Sequence, residues 1–186
     1  WVKKFLSDGT ENTTAWNKTF EKGVVLGAAV DNSTNSLYAV GYYRGGFGNN
    51  NWWLKKFTET GTENTSAWNK TFTGPDNADD RAKAVAVDSL GSVYIVGYGT
   101  NLVSGGSGTD LWVKKFTEIG TENTTNWNYT FTSPGTQNDE ALAVTIDNNN
   151  NVYVVGFGVA ISTTTSGEDW WIKKFQGVAP NYLPVI

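Results

Sequence analysis

Paired carboxylates are the side chains of this sequence that could carry out acid–base chemistry. They occur at three places: Asp79–Asp80, Asp139–Glu140 and Glu168–Asp169. Two carboxylates at a defined separation can cleave a glycosidic bond, one as the acid and the other as base or nucleophile. The sequence contains no His and no Cys, so Ser-His-Asp and Cys-His catalysis and a Cys/His metal site are excluded within the chain.

These acidic residues recur along the sequence. Asp80 and Asp139 occupy equivalent positions, and Asp110 and Asp169 share another. An active site is normally a single place, whereas residues that recur with a repeat usually serve the fold. We therefore predict that these acids cap turns or order loops and that the chain is not an enzyme.

Four short phrases recur in step and define the organisation of the chain. The phrase Trp-x-Lys-Lys-Phe begins at Trp1, Trp53, Trp112 and Trp171, which gives spacings of 52, 59 and 59 residues. The other phrases are WNKTF or WNYTF, a small-residue phrase that ends in Asp, and VYVVGY or a close variant. All are rich in β-branched and aromatic residues and are separated by turn-forming residues, which predicts short strands.

Each repeat predicts a sheet of four short antiparallel strands with two apolar faces. Such a sheet must be covered by its neighbours. A radial stack of blades, the β-propeller, achieves this, and a β-solenoid or a row of separate sheets is the alternative. The predicted repeat region is 1–176, with units 1–52, 53–111 and 112–170 and a further strand at 171–175. Residues 177–186 leave the pattern and are predicted to be a linker or docking arm.

The run AVAVDSLGSVYIVGYGT…DLWVKKF, from Ala84 to Phe116, resembles the repeat of secreted β-propellers of bacteria and archaea (the SBBP-like group). It is similar, more distantly, to NHL-type propellers, and the resemblance extends to Gln176. It implies that AVAVD is the innermost strand, A, followed by VYVVGY as B, WVKKF as C and WNYTF as D. The resemblance says little about activity, because propellers host many functions.

Read with these labels, the chain runs C-D, A-B-C-D, A-B-C-D, A-B-C. These strands amount to about three blades, whereas a closed ring normally needs at least four. We expect the sequence either to be an excerpt of a longer propeller, which we prefer, or to join other copies through unpaired blade edges.

The dilysine has two interpretations. Strand alternation places Trp53, Lys55 and Phe57 on one face and Leu54 and Lys56 on the other. A basic ring for an anionic glycan is one interpretation. The preferred one is packing between blades, with lysine stems lying along aromatic rings, because the phrase recurs in every repeat.

The predicted strand order places the A–B and C–D turns on one rim and the B–C and D–A loops on the other. The first rim is repetitive in sequence and the second is variable, so a ligand is expected on the variable rim. The other interpretation, which we prefer slightly, is that these are unselected Gly/Ser-rich loops. The candidate binding residues are Arg44, Phe47, Asn101, Asp79, Asp80, Asp139 and Asp169.

Glycosylation is predicted as a possibility, because Asn-x-Ser/Thr acceptors recur in the repeats. The candidate acceptors are Asn12, Asn17, Asn32, Asn64, Asn69, Asn123 and Asn128. The DNNNN run at Asp147–Asn151 lacks the Gly and Glu of an EF-hand loop. Isolated calcium coordination at Asp31, Asp88 or Asp147 is a weak alternative, and otherwise no metal and no cofactor is expected.

The net charge of −4 argues against a nucleic-acid partner, and no apolar run approaches the length of a membrane span. We predict a non-enzymatic scaffold outside the cell or on its surface, with a structural or binding role. One alternative is a self-assembling subunit of a filament or surface layer. Another is a carbohydrate-binding or carbohydrate-active propeller segment. The expected partners are other copies, the rest of a longer chain, and glycans.

Overall fold

The computed structural model describes residues 1–45, 48–103, 108–133, 137–161 and 167–177 of the chain. These residues form antiparallel sheets of three or four strands joined by turns. The predicted all-β class is therefore confirmed. No helix in these ranges is long and apolar enough to cross a membrane. Apart from Gly177, the predicted docking arm lies outside the described residues.

Three sheets follow one another along the described chain, and each is a meander in chain order. Sheet 1 contains β1 (Gly23–Asp31), β2 (Ser36–Arg44), β3 (Asn50–Phe57) and β4 (Lys70–Phe72). Sheet 2 contains β5 (Arg81–Val87), β6 (Val93–Thr100), β7 (Thr109–Phe116) and β8 (Tyr129–Phe131). Sheet 3 contains β9 (Glu140–Ile146), β10 (Val152–Val159) and β11 (Glu168–Phe175). The four recurring phrases are thus successive neighbouring strands, as predicted.

The glycine that ends each VYVVG-type phrase has a steric reason. Gly41, Gly97 and Gly156 each lie beside a register shift between the first two strands of their sheets. A Cβ on any of them would overlap a carbonyl oxygen of the neighbouring strand. The shift is a β-bulge that brings one backbone close to the next, which only glycine accommodates.

The predicted first C-D pair differs from its later counterparts. Residues 1–20 form a hairpin held by isolated bridges, Val2↔Lys18 and Phe5↔Glu11, and contain no extended strand. In the complete sheets the third strand is paired on both sides, by the second strand and by the fourth. Among the described residues no further strand pairs with this hairpin, and a lone two-stranded ribbon is marginally stable.

Consecutive sheets pack face to face, and their first strands are neighbours. Strand β5 contacts β1, β2 and β3 of sheet 1, and β9 contacts β5, β6 and β7 of sheet 2. The first strand of each later sheet therefore lies across the face of the sheet before it.

The same group of apolar side chains fills each interface. Between sheets 1 and 2, buried residues of sheet 1 such as Trp52 and Trp68 meet Trp112 and Phe116 of sheet 2. The rings of Trp52 and Trp112 have centroids 4.8 Å apart. Trp127 occupies the position equivalent to Trp68 between sheets 2 and 3, and Trp16 occupies it between the first hairpin and sheet 1.

The lysines of the repeated phrase belong to these interfaces. The ammonium of Lys114 lies 4.7 Å from the ring centroid of Phe72 in the preceding sheet and forms an ion pair with Glu122. Lys55 has the same arrangement with Phe20 and Glu63. The second lysine of the phrase lies over aromatic rings of its own sheet, as Lys115 does over Tyr94 and Trp127. The lysine ammonium groups thus lie over rings at the interfaces, in agreement with the packing interpretation.

Replacing Trp68 by Ala should strongly destabilise the protein. Its side chain is 1% exposed and lies against Tyr38 and Phe116, at centroid distances of 4.7 and 6.0 Å. Truncation of a buried Trp costs about 3–5 kcal/mol of unfolding free energy. Urea unfolding measures this loss. Ile119→Ala, at a position 75% exposed, is the control and should change stability by less than about 0.5 kcal/mol. Equal effects of the two substitutions would contradict the interface.

Candidate binding surface

The A–B turns of the three sheets surround one cavity of about 470 Å³. Its lining includes the strand-ending residues Asp31, Asp88 and Asp147 together with their turns. The turns of sheets 2 and 3 are also linked directly, because the Ser89 amide and hydroxyl both donate to Asn150 Oδ1, at 3.1 and 2.9 Å. The sequence predicted this rim to be the repetitive one and did not predict the cavity.

The three aspartates use their carboxylates to close their own turns. Asp88 accepts from the amides of Leu90 and Ser92 at 2.9 and 2.8 Å, and from the Tyr94 hydroxyl at 3.0 Å. Asp147 accepts in the same way, and hydrogen bonding from the Asn151 side chain leads the effects that lower its pKa to about 2. Within the described residues, no three acidic, His or Cys side chains lie close enough together to hold a metal ion.

On the variable rim, the equivalent residues Asp80 and Asp139 are buried. Asp80 accepts hydrogen bonds from the amides of Gly74 and Thr100, at 2.6 and 2.9 Å, and Asp139 accepts one from the amide of Ser133 at 2.6 Å. Burial raises the pKa of both carboxyls despite these bonds. Each acid ties the start of a D–A loop to the sheet, which is an ordering role.

Asp79 anchors its loop to the preceding sheet. Its carboxylate accepts from the backbone amide of Asn50 at 3.0 Å and from the Asn50 side chain at 3.1 Å. In the next repeat Asn138 takes the equivalent position and accepts from the amide of Thr109 at 3.1 Å. The carboxyl group is therefore not needed for the structural contact, and Asp79 is a site-specific feature of the interface between sheets 1 and 2.

Both arginines of the sequence lie at one pocket of about 610 Å³ on the variable rim. Arg81 forms an ion pair with Asp79, with its Nη2 3.3 Å from Oδ2, and lies 4.7 Å from the ring centroid of Tyr42. Arg44 lines the same pocket and donates from Nε to the carbonyl of Gly48 at 3.0 Å. Lys22 adds a third cation to the lining.

This pocket places three cations against a single carboxylate and one aromatic face. Arg81 Nε is buried and has no hydrogen-bond partner, so this nitrogen is not itself accessible to a ligand. Arginine presents several donors in a planar fork that matches a carboxylate. The arrangement is suited to an anion.

Two of the predicted binding residues, Arg44 and Asp79, line one pocket, whereas Asp80, Asn101, Asp139 and Asp169 are not part of its lining. Asn101 donates from its side chain to Asp76 Oδ2 at 2.7 Å and so joins a B–C loop to a D–A loop. Asp169 lies in β11 opposite Gly158. Phe47 lies outside the described residues.

Sequence reasoning missed Lys22, Tyr42 and Arg81 at this pocket. Lys22 and Arg81 are separated by a whole sheet along the chain and meet only because sheet 2 packs on sheet 1. One signal was present, since the sequence contains two arginines and each adjoins a variable loop.

The predicted glycosylation acceptors occupy two kinds of place. Asn17, Asn32, Asn69 and Asn128 are exposed, and the other three are half-buried in C–D turns. Asn64, one of the latter, accepts through Oδ1 from the amide of Ala67 at 3.2 Å. Acceptor occupancy stays a prediction.

Comparison with models of protein families gives no match, and neither does comparison with curated proteins.

Two aspartates should show opposite pH dependence. Burial raises the pKa of Asp80 above its ordinary value of 3.8, so the folded state binds this proton more tightly than the unfolded chain. The stability of the wild type relative to Asp80→Asn should then be greatest at and below pH 3.8 and fall as the pH rises through the raised pKa. Urea unfolding across this range measures the difference.

Asp147→Asn provides the matched comparison. The pKa of Asp147 is lowered to about 2 from 3.8, so the wild-type advantage should hold above pH 3.8 and disappear as the pH falls towards 2. If the stability difference between wild type and variant changed with pH in the same direction for Asp80→Asn and Asp147→Asn, the described difference between the two environments would be wrong.

Proposed function

We propose that the chain is a non-enzymatic scaffold of β-propeller blades that presents a ligand-binding pocket on its variable rim, in a protein outside the cell or on its surface. The observation that carries the proposal is the repeated interface between consecutive sheets. Each sheet offers the same face to the next, and only radial or linear stacking continues such a pattern.

The positions of the first strands favour radial stacking. Strands β1, β5 and β9 are sequential neighbours, and the turns that follow them enclose one cavity. An axis beside the first strand of every blade would produce this convergence. The proposal agrees with the resemblance to secreted propeller repeats, and that resemblance stays a prediction.

A scaffold role is supported by how the acidic residues are used. Asp80 and Asp139 hold loop amides, and Asp31, Asp88 and Asp147 close turns. Each recurs in equivalent places, so these carboxylates are occupied by the fold.

The ligand that fits the variable-rim pocket is an anionic saccharide. Arg44, Arg81 and Lys22 would pair with a carboxylate, and Asp79 would accept from sugar hydroxyls. The Tyr42 ring lies against the Arg81 guanidinium, 4.7 Å from the ring centroid, and so helps to hold this cation in place. A neutral glycan would gain less from the same residues, because it carries no charge to pair with Arg44 and Lys22.

Titration calorimetry with an oligosaccharide of uronic acids tests the binding proposal. Arg44→Ala should weaken binding by about tenfold or more, because it removes a charge-assisted hydrogen bond. The affinity should also fall as salt is added. Lys18→Ala, which removes a cation outside the pocket lining, is the matched control and should bind as the wild type does. Absence of binding, or equal binding of a neutral oligosaccharide, would refute the ligand assignment.

Surface location and glycosylation can be tested together on protein from its native source. We expect the intact mass to exceed that of the polypeptide, because four of the seven acceptor asparagines are exposed. Peptide mapping would place the added mass on asparagines such as Asn17 or Asn69. A mass equal to the polypeptide alone would remove glycosylation from the account.

A further inference from the structure

A lysine, a glutamate and an asparagine lie in contact where sheet 2 packs on sheet 1. Lys114 is 4% exposed, and its ammonium forms an ion pair with Glu122. The same nitrogen lies 3.3 Å from Asn128 Oδ1. Its other neighbours are aromatic, with the ring centroids of Trp112 and Phe72 at 4.4 and 4.7 Å. The lysine nitrogen is thus enclosed by a carboxylate, an amide carbonyl and two rings.

The side-chain carbonyl of Asn128 also accepts from a second donor. Trp112 Nε1 donates to Oδ1 at 2.9 Å. Donors on a carbonyl oxygen stabilise the negative charge that develops there when a nucleophile attacks the carbon. This carbon, Cγ, is one C=O bond of about 1.23 Å from Oδ1, so a small movement of the lysine side chain brings Nζ to it. Asn128 is therefore placed as an electrophile beside a buried amine.

The same three residue types recur with one spacing. The Glu follows the first lysine of the dilysine by 8 residues and the Asn follows it by 14. The sets are Lys3–Glu11–Asn17, Lys55–Glu63–Asn69 and Lys114–Glu122–Asn128. Lys55 pairs with Glu63 and lies 3.1 Å from Asn69 Oδ1. Among the described residues an indole donor to the asparagine occurs in sheet 2 alone, so sheet 2 has the most complete arrangement.

We propose that Lys114 Nζ and Asn128 Cγ form an isopeptide bond, which links β7 covalently to the residue before β8. The bond joins the third strand of sheet 2 to the fourth, beside the interface with sheet 1. The sequence contains no Cys, so disulfides cannot strengthen these short strands and an amide crosslink can. The inference is independent of the saccharide ligand and of whether the sheets stack radially.

The reaction needs no oxidant and no co-reactant. The Lys114 ammonium first passes a proton to the Glu122 carboxylate, which leaves both groups neutral, as burial favours. The neutral nitrogen then attacks Asn128 Cγ and forms the new C–N bond, while the indole N–H holds the negative oxygen. The Cγ–Nδ2 bond breaks, and Nδ2 takes up the two protons that the lysine has lost, relayed by Glu122, and leaves as ammonium. Asn128 is exposed as a residue, so the ammonium has a path to water.

The crosslink and a glycan are alternative fates of Asn128. This residue is also a predicted glycosylation acceptor, and both modifications use Nδ2. Protein made in a host that does not glycosylate asparagine separates the two, because its mass then reports the crosslink alone.

Intact-mass spectrometry of such protein, followed until the mass is constant, measures the bond. The wild type should lose one ammonia relative to its sequence. Trypsin should leave the bond after Lys114 uncut and release a branched peptide that joins Lys114 to Asn128. A second, slower loss is expected at Lys55 and Asn69, where the indole donor is missing.

Two variants should prevent the loss at Lys114. Glu122→Gln removes the proton relay and retains the shape of the side chain. Asn128→Ala removes the electrophile at an exposed position, so it should fold even if the first variant does not, as circular dichroism would show. Lys173→Arg is the matched control. Lys173 has the same place in its repeat as Lys114, but its nitrogen contacts the Tyr129 hydroxyl at 2.8 Å, so this variant should lose ammonia as the wild type does.

Three results would overturn the proposal. The wild type could keep the full mass of its sequence, with normal cleavage after Lys114. The loss of ammonia could persist unchanged in Asn128→Ala or Glu122→Gln. Ammonia could also be lost without a branched peptide, which would indicate that an asparagine cyclises on its own backbone.

Discussion

The contact between aromatic side chains of consecutive sheets is the constraint on which the rest of the structure depends. The Phe of a fourth-strand phrase meets the Trp of the next third strand in all three interfaces. The pairs are Phe20–Trp53, Phe72–Trp112 and Phe131–Trp171, with centroids 5.0, 6.5 and 6.1 Å apart. A four-stranded sheet with two apolar faces has no core of its own, so each sheet is stable only against its neighbours.

The first lysine of the dilysine places a charge inside this packing. Lys114 is 4% exposed, yet its ammonium is paired with Glu122 and placed over two rings. A buried charge is tolerated only when it is paired, and the Glu comes from the repeated C–D turn of the same sheet. The phrase that looked like a basic ligand site is thus an internal part of the fold, which explains why it recurs with every repeat.

Much of the fold could be predicted because its determinants are local and periodic. The order of the four strands follows from the recurring phrases. The close backbone approach at Gly41, Gly97 and Gly156 was not predicted. The absence of extended strands from residues 1–20 was not predicted, because WVKKF has the same letters there as in a paired strand. At the pocket of Arg44 and Arg81, only some of the lining residues were predicted. The others were missed because the lining residues meet only through the packing of sheet 2 on sheet 1, which no local pattern encodes.

Buried or turn-closing aspartates serve different purposes on the two rims. On one rim aspartates close the turns of their own sheets, and three of these turns surround a cavity. On the other rim Asp80 and Asp139 are held by loop amides, which fixes the loops whose sequences vary. A repeated framework with one variable rim can change its ligand without altering the interfaces between sheets. In the proposed function, the arginine pocket is one such local variation.

An experimental structure at near-atomic resolution would test the central claim most directly, through the operations that superpose sheet 1 on sheet 2 and sheet 2 on sheet 3. The account predicts that both are rotations about one common axis, with little shift along it and with β1, β5 and β9 nearest to it. Successive translations along a line, or two rotations about unrelated axes, would contradict it.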